Sequence, residues 1–381
     1  MTSHRRHLLR TRDGHHARVG FAELFFDLVF VFAVTQLSHS LLAHLSPLGV
    51  LETAMLFLAV WWSWIFTAWV TNWLDPETAG VRLLLFALMA VGLVLAMAIP
   101  EAFGKRGLAF ALAYAASQAG RAAVVAWIMR GIDSANSRNF VRIALWGVAG
   151  GAFWVAGALA DPHARLLWWA AALVVEYLGP ASGFRVPGMG RSTTRDWSVE
   201  GGHLAERCGL FLIIALGESI LITGATFAGG AWDAPRSAGF AAAFVGAVAM
   251  WWIYFNVGAE RATRRFTADA DPGRIARLAY TYLHIPIVAG VVLAAAGDEL
   301  VLAHPAGHAD PMATLCILGG PALFLLGTTL FKRATAGWPP LSHIVGLGLF
   351  AALAAGSTAL APVLLAALGS AVLVLVAIWE T

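Results

Sequence analysis

The feature that most constrains this chain is a succession of apolar runs, each about as long as a bilayer is thick. An α-helix needs about 20 mostly apolar residues to cross the hydrocarbon core of a membrane. Only 12% of the residues are charged, whereas a soluble domain has about 25% charged residues. Twelve apolar segments follow one another, at residues 21–44, 48–70, 79–100, 107–130, 139–160, 164–180, 204–228, 237–258, 275–297, 311–331, 341–357 and 361–379. The sequence therefore predicts an all-α, polytopic integral membrane protein with about twelve transmembrane helices, with a re-entrant hairpin as the alternative for the short last pair.

The basic residues predict the orientation of these helices. If the N-terminus is cytoplasmic, most of the 25 Lys and Arg residues fall in inner connections, as the positive-inside rule requires. Both termini are then cytoplasmic. Basic loops beside anionic lipid account for the net charge of +3, so the lipid bilayer is the expected partner and no nucleic acid is needed. The apolar run after the basic N-terminus is too long for the core of a signal peptide.

A polar break near the middle of the chain suggests an organisation in two halves. We predict a basic cytoplasmic arm (1–20), a first half of six helices (21–180), a cytoplasmic linker (181–202) and a second half of six helices (203–381). The pair Trp61–Trp62 in the first half corresponds to Trp251–Trp252 in the second. An internal repeat of this kind would relate the halves by an axis along the membrane normal. Chance similarity between apolar helices is the alternative.

The first apolar segment carries the polar residues Glu23, Asp27, Gln36 and His39. Lipid-facing positions do not hold ionised carboxylates, because an uncompensated charge in hydrocarbon is expensive. Glu23 and Asp27 lie one helical turn apart and share a face. We therefore expect Asp27 to face another helix and to pair with a basic or hydrogen-bonding group. The alternative is that both acids cap or pair at the cytoplasmic interface, which the sequence favours more for Glu23 than for Asp27.

Two stretches carry a resemblance to a known family. Residues 21–42, FAELFFDLVFVFAVTQLSHSLL, resemble the opening helix of the low temperature requirement protein A (LtrA) family. Residues 203–220, HLAERCGLFLIIALGESI, are similar to that family's other well-marked segment. The resemblance implies a polytopic protein of the bacterial plasma membrane whose biochemical activity is not established. The family name records a growth requirement in the cold.

The seventh segment has a single polar stripe. On a helix His203, Glu206, Arg207 and Glu218 fall within one third of the circumference, and Glu218 lies near the predicted midplane. Such a stripe must face protein or water. A buried ion pair between helices is the alternative, particularly for Glu206 and Arg207.

Further polar residues are predicted at the depth of Glu218. Arg121 and Gln118 lie in the middle of the fourth segment. His284 follows Tyr280 by one turn and precedes Pro286, which removes a helix hydrogen bond and frees a carbonyl. We predict a substrate or ion site made of Glu218, Arg121, His284, Gln118 and Tyr280. For His284 a hydrogen-bonded core position is the alternative, and Glu52, Glu176 and Asn256 are expected at the interface.

These residues favour transport over the other classes of function. No nucleotide-binding loop, nucleophile motif, zincin motif or haem motif is present, and the two cysteines have no metal-binding spacing, so neither a cofactor nor a metal is expected. The leading hypothesis is a secondary transporter or permease for a small anionic solute or a proton. One alternative is a membrane-embedded enzyme with Glu206 and His203 as acid/base groups at the cytoplasmic face. The other is a non-catalytic membrane factor needed for growth in the cold.

Overall fold

The computed structural model describes residues 5–11, 18–197, 199–256, 266 and 271–381. Long helices dominate these residues, and none of them forms a β-strand beyond an isolated bridge. We number the long helices α1 Phe21–Ala43, α2 Pro47–Thr71, α3 Ala79–Ala98, α4 Gly107–Met129, α5 Ser134–Leu159, α6 Pro162–Ala181, α7 Gly201–Ala228, α8 Ala234–Phe255, α9 Pro272–Ala303, α10 Pro311–Thr335, α11 Leu341–Ala355 and α12 Pro362–Trp379.

Ten of these helices are long and apolar enough to cross a membrane. Two fall outside that group: α6 carries Arg165 and Glu176, and α11 has only 15 residues. The predicted all-helical, multi-pass architecture is thus confirmed. The count of twelve spans and the division into two six-helix halves stay predictions.

The chain forms two compact units, neither of them a single continuous stretch. Unit 1 comprises the described parts of residues 1–40, 50–207 and 270–277. Unit 2 comprises the described parts of residues 41–49, 208–269 and 278–381. Helix α7 therefore begins in unit 1 and, from Cys208 onwards, continues in unit 2. The predicted division into two halves, with boundaries at residues 180 and 203, stays a prediction.

Aromatic rings and glycines build the core of unit 1. Trp61 and Trp64 are among its fully buried side chains. Helices α4 and α5 approach closely where α5 has glycine: a Cβ on Gly151 would lie 2.8 Å from the Cβ of Ala115. The glycine-rich run of α5 therefore serves close helix packing, as small residues commonly do in membrane helices.

In unit 2, glycines bring the backbones of α9 and α10 into contact. A Cβ on Gly290 would lie 2.3 Å from the backbone nitrogen of Phe324, and one on Gly320 would lie 2.4 Å from that of Ala294. Each helix contains a π-helical segment, Ala276–Tyr282 in α9 and Leu315–Gly319 in α10. Such insertions are frequent at functional sites. In α9 the π segment precedes Pro286, and the backbone N–H of Leu283 bonds the carbonyl of Leu278 at 3.0 Å.

Candidate functional site

Helix α1 turns its two acids to the protein interior because the rest of that face is apolar core. The buried face is formed by Glu23, Phe26, Asp27, Phe30, Val34 and Leu37. The opposite face exposes Phe21, Phe25 and Leu28. Both carboxylates are fully buried, at 0% exposure. Burial of two charges requires partners.

Glu23 is surrounded by donors from three segments of unit 1. Its carboxylate accepts hydrogen bonds from Nη2 of Arg10 at 2.9 Å and from the backbone N–H of Gly20 at 2.8 Å. Nε2 of His203, in the first turn of α7, lies 2.9 Å from Oε1. Arg207 adds a longer contact of 4.0 Å. Glu23 is therefore a fully paired buried acid.

Asp27 lies one turn further along α1 and is paired in a bidentate manner. Arg207 donates from Nη2 to Oδ1 at 2.8 Å and from Nη1 to Oδ2 at 3.0 Å. Trp64 of α2 donates its indole N–H to Oδ1 at 2.8 Å, and the Arg207 guanidinium lies over the Trp64 ring. Two-point arginine–carboxylate pairing is among the strongest and most directional of protein contacts.

The two pairs form a ladder, because the acids on α1 and the basic residues on α7 have the same spacing. Glu23 contacts His203 and Asp27 contacts Arg207, with four residues between rungs on each helix. Residues four apart lie one above the other on a helix. Two i,i+4 pairs on adjacent helices can therefore meet rung by rung. We call Arg10, Glu23, Asp27, His203 and Arg207 the acid–base ladder.

Asn72, the residue after α2, contacts the second ring nitrogen of His203. The amide of Asn72 exchanges two bonds with the backbone of Glu200, donating at 2.8 Å and accepting at 2.9 Å. That orientation presents its NH₂ group to Nδ1 of His203 at 3.3 Å. Nη2 of Arg10 lies 3.0 Å from Nε2 of the same ring, beside the contact of that nitrogen with Glu23.

The sequence predicted four of the five members of the ladder; it did not predict the fifth, Arg10, or the neighbouring Trp64 and Asn72. Arg10 was counted only as a topology signal in the basic arm. It reaches Glu23 because the backbone N–H of Arg10 bonds the carbonyl of Trp73 and that of Asp75 bonds the carbonyl of Leu8. Contacts between segments so far apart in sequence leave no local pattern.

A second polar network of unit 1 contains the predicted residues Arg121 and Gln118. The Arg121 guanidinium is 2% exposed. It donates to the carbonyl of Ser63 and the hydroxyl of Thr67, both at 3.0 Å, and to the side-chain oxygen of Gln118. The face of Phe66 lies 5.6 Å from its central carbon. Within the described residues, all the oxygens that accept from Arg121 are uncharged.

The network extends from Gln118 to an acid that was expected at the interface. Gln118 donates to the hydroxyl of Tyr114 at 3.0 Å, and Tyr114 donates to Oε2 of Glu176 at 2.5 Å. Glu176 is buried, at 5% exposure, and its carboxylate packs on Gly150, which has no side chain in the way. Glu176 therefore lies inside unit 1, and its expected position at the membrane interface stays a prediction. The sequence signal for this network was the i, i+4, i+7 spacing of Tyr114, Gln118 and Arg121, which puts them on one face of α4.

In unit 2, His284 is a buried and hydrogen-bonded residue. Its Nδ1 lies 2.8 Å from the carbonyl of Ala279, and its Nε2 lies 2.7 Å from the hydroxyl of Tyr254. The carbonyl can only accept, so Nδ1 carries the proton and Nε2 accepts from Tyr254. Tyr280 stacks on the ring, with centroids 5.3 Å apart. These contacts bring together His284 and Tyr280 of the predicted site.

The remaining predicted residues have different surroundings. Glu218 is buried and belongs to unit 2, whereas Arg121 belongs to unit 1, so the predicted grouping of Glu218 with Arg121 stays a prediction. Glu206 is partly buried and accepts from the backbone N–H of Val19 at 3.4 Å. Gln36 is partly buried and His39 is exposed.

Throughout the described ranges, no group of three or more His, Cys, Asp or Glu side chains is arranged to hold a metal ion.

A third charged cluster ties the end of the chain to unit 2. Glu380, just beyond α12, contacts Nζ of Lys332 at 2.5 Å and Nε2 of His343 at 3.0 Å. Burial by itself would raise the pKa of Glu380, but the hydrogen bond with His343 and the charge of Lys332 outweigh it. The pKa of this carboxyl is therefore held below its ordinary value.

Comparison with known proteins gives a family and a relative. The sequence profile of the bacterial low temperature requirement A protein (LtrA) matches residues 18–378. An uncharacterized protein of Rhizobium meliloti (strain 1021) is 42% identical over 387 residues, covering 100% of this chain and 93% of the relative. No solved structure matches the chain. The resemblance carried by the first and seventh helices is confirmed.

Proposed function

The chain belongs to the bacterial low temperature requirement A (LtrA) family of multi-pass membrane proteins, and from that premise we propose that it is a secondary transporter for a small anionic solute. We place it in the bacterial cell membrane with both termini in the cytoplasm, following the distribution of Lys and Arg. The proposal concerns unit 1. This unit contains Arg121, the cation that would bind the solute, and the acid–base ladder.

The observation that carries the proposal is the state of Arg121. Charged side chains within membrane spans are expensive and are usually retained for function. Arg121 is almost fully buried and, among the described residues, has only uncharged oxygens as hydrogen-bond partners. A guanidinium of this kind can exchange its bonds with Gln118 and Thr67 for two bonds to a carboxylate or phosphate. The compensating charge would then come from the solute.

The acid–base ladder has the complementary role. Its two arginines are paired with its two acids, so the ladder offers no unpaired guanidinium to a solute. We infer that it fixes the first turns of α7 against α1 while the network around Arg121 changes partners. A secondary transporter needs such a rigid part against which another part can move.

Uptake by reconstituted protein tests this proposal. Full-length protein in proteoliposomes is given a defined mixture of small carboxylates, phosphate and sulfate, and the vesicle contents are measured by mass spectrometry. We expect uptake by the wild type, loss of uptake in Arg121→Gln and partial retention in Arg121→Lys, which keeps the charge. Arg82→Gln is the matched control, because Arg82 forms an exposed pair with Glu77.

Each alternative has its own result in this experiment. Chemical change of a solute without its accumulation would favour the membrane-embedded enzyme, and variants of His203 and Glu206 would then lose that activity. Uptake that is equal in the wild type and in folded Arg121→Gln protein would refute the role of Arg121. No uptake and no turnover by any variant would favour the non-catalytic membrane factor.

A further inference from the structure

Near its end, α9 carries an acid with no assigned role, Asp298. The residue belongs to unit 2 and is partly buried. Across the part of the chain that the structure describes, its carboxyl group has no hydrogen-bond or ion-pair partner. This distinguishes it from Glu23, Asp27 and Glu380, each of which has basic partners.

The Asp298 carboxyl lines a narrow cavity inside unit 2. The cavity has a volume of about 20 Å³, which is enough for one water molecule or a small ion and too little for an organic solute. Among the described residues that line it, Asp298 is the only charged side chain and Ser370 is the only other polar one. The remaining wall is formed by Ala243, Gly246, Ala247, Met250, Ala294, Ile317, Pro321, Ala366 and Leu373.

One further side-chain oxygen is available in the wall of this cavity. Ser370 donates its hydroxyl hydrogen to the carbonyl of Ala242 at 2.8 Å, so the hydroxyl lone pairs can accept or coordinate. Gly246 makes room for that hydroxyl, because a Cβ there would lie 2.9 Å from it. Ile317, another residue of the wall, lies within the π segment of α10.

We propose that Asp298 is the binding group for a single small cation, either a proton or Na⁺, within the second unit. A carboxylate in a membrane-spanning helix requires a compensating positive charge. The wall of this cavity contains no basic side chain to supply one. A proton can neutralise the carboxyl directly, and Na⁺ can be held by the carboxylate with the Ser370 hydroxyl. The site is independent of the solute proposed for Arg121.

Labelling with dicyclohexylcarbodiimide tests for a protonatable carboxyl in apolar surroundings. The full-length protein in lipid nanodiscs is treated with the reagent, and the modified residue is identified by peptide mass spectrometry. We expect one modified site, at Asp298, that is lost in Asp298→Asn. Glu77→Gln is the control: this acid is exposed, pairs with Arg82 and should leave the labelling unchanged. Thermal unfolding of each variant confirms that it is folded.

Exchange of NaCl for choline chloride at equal ionic strength distinguishes the two cations. Protection from the reagent by Na⁺, with ²²Na⁺ binding that disappears in Asp298→Asn, assigns Na⁺. Labelling that depends on pH and is insensitive to Na⁺ assigns a proton. Unchanged labelling in folded Asp298→Asn, or a wild type that shows neither labelling nor ²²Na⁺ binding, would overturn the proposal.

Discussion

Removal of the Asp27 carboxylate should destabilise unit 1 far more than the loss of an exposed acid. Asp27 and Arg207 are both 0% exposed and share two hydrogen bonds of 2.8 and 3.0 Å. In Asp27→Asn the amide can still accept from Trp64, but Arg207 loses its two-point partner and keeps only the 4.0 Å contact with Glu23. Breaking a buried ion pair from one side costs about 3–5 kcal/mol. We therefore expect the free energy of unfolding to fall by about that amount.

The matched control is Glu77→Gln. Glu77 and Arg82 form an ion pair whose side chains are 58% and 46% exposed, and exposed pairs contribute about 0–1 kcal/mol. Both variants are measured by denaturant titration in the same mixed micelles, with folded yield from size-exclusion chromatography as a second readout. The variants differ in burial and make the same change from carboxylate to amide.

A double substitution separates the loss of the pair from the burial of an unpaired charge. Asp27→Asn with Arg207→Gln removes both charges, so no uncompensated guanidinium remains. We expect this protein to be more stable than Asp27→Asn alone, which is the behaviour of a coupled buried pair. If Asp27→Asn is no more destabilising than Glu77→Gln, or if the two single effects simply add, the ladder does not stabilise unit 1 in the way argued above.

Three further predictions concern other parts of the chain. The pKa of Glu380 is lowered in the folded state. The ionised carboxylate therefore stabilises the fold above the ordinary carboxyl pKa, and this stabilisation is lost as pH falls through the lowered value. Glu380→Gln should reduce the loss of thermal stability on acidification. Gly320→Leu should lower the folded yield, because its Cβ would lie 2.4 Å from a backbone nitrogen of α9. Gly348→Leu should not lower it, because a Cβ at Gly348 would meet no atom within 4 Å. Similar yields of the two variants would contradict the glycine contact. A reporter fused to the C-terminus should behave as cytoplasmic, because basic residues favour the inner side; periplasmic reporter activity would refute the orientation.

The sequence by itself determined the class of the protein and the positions of its helices. Each apolar segment of span length became a helix, because a backbone in lipid must satisfy its hydrogen bonds internally and the helix does so without any partner. The polar residues of α1 and α7 were also recognisable, since an acid on an apolar helix is conspicuous. Their i,i+4 spacing predicts one face, and Glu23 and Asp27 do share the buried face of α1.

The partners of those residues were decided only by tertiary structure. The spacing of Glu23 and Asp27 matches that of His203 and Arg207, but nothing local indicates that residues 180 positions apart meet. Glu176 near the end of α6 was expected at the interface, and its burial depends on Gly150 and Tyr114 from other helices. Helix formation depends on local properties, namely the length of the apolar segment and its internal hydrogen bonds. The pairing of buried charges depends on which helix faces pack together, and a hydropathy pattern does not contain that information.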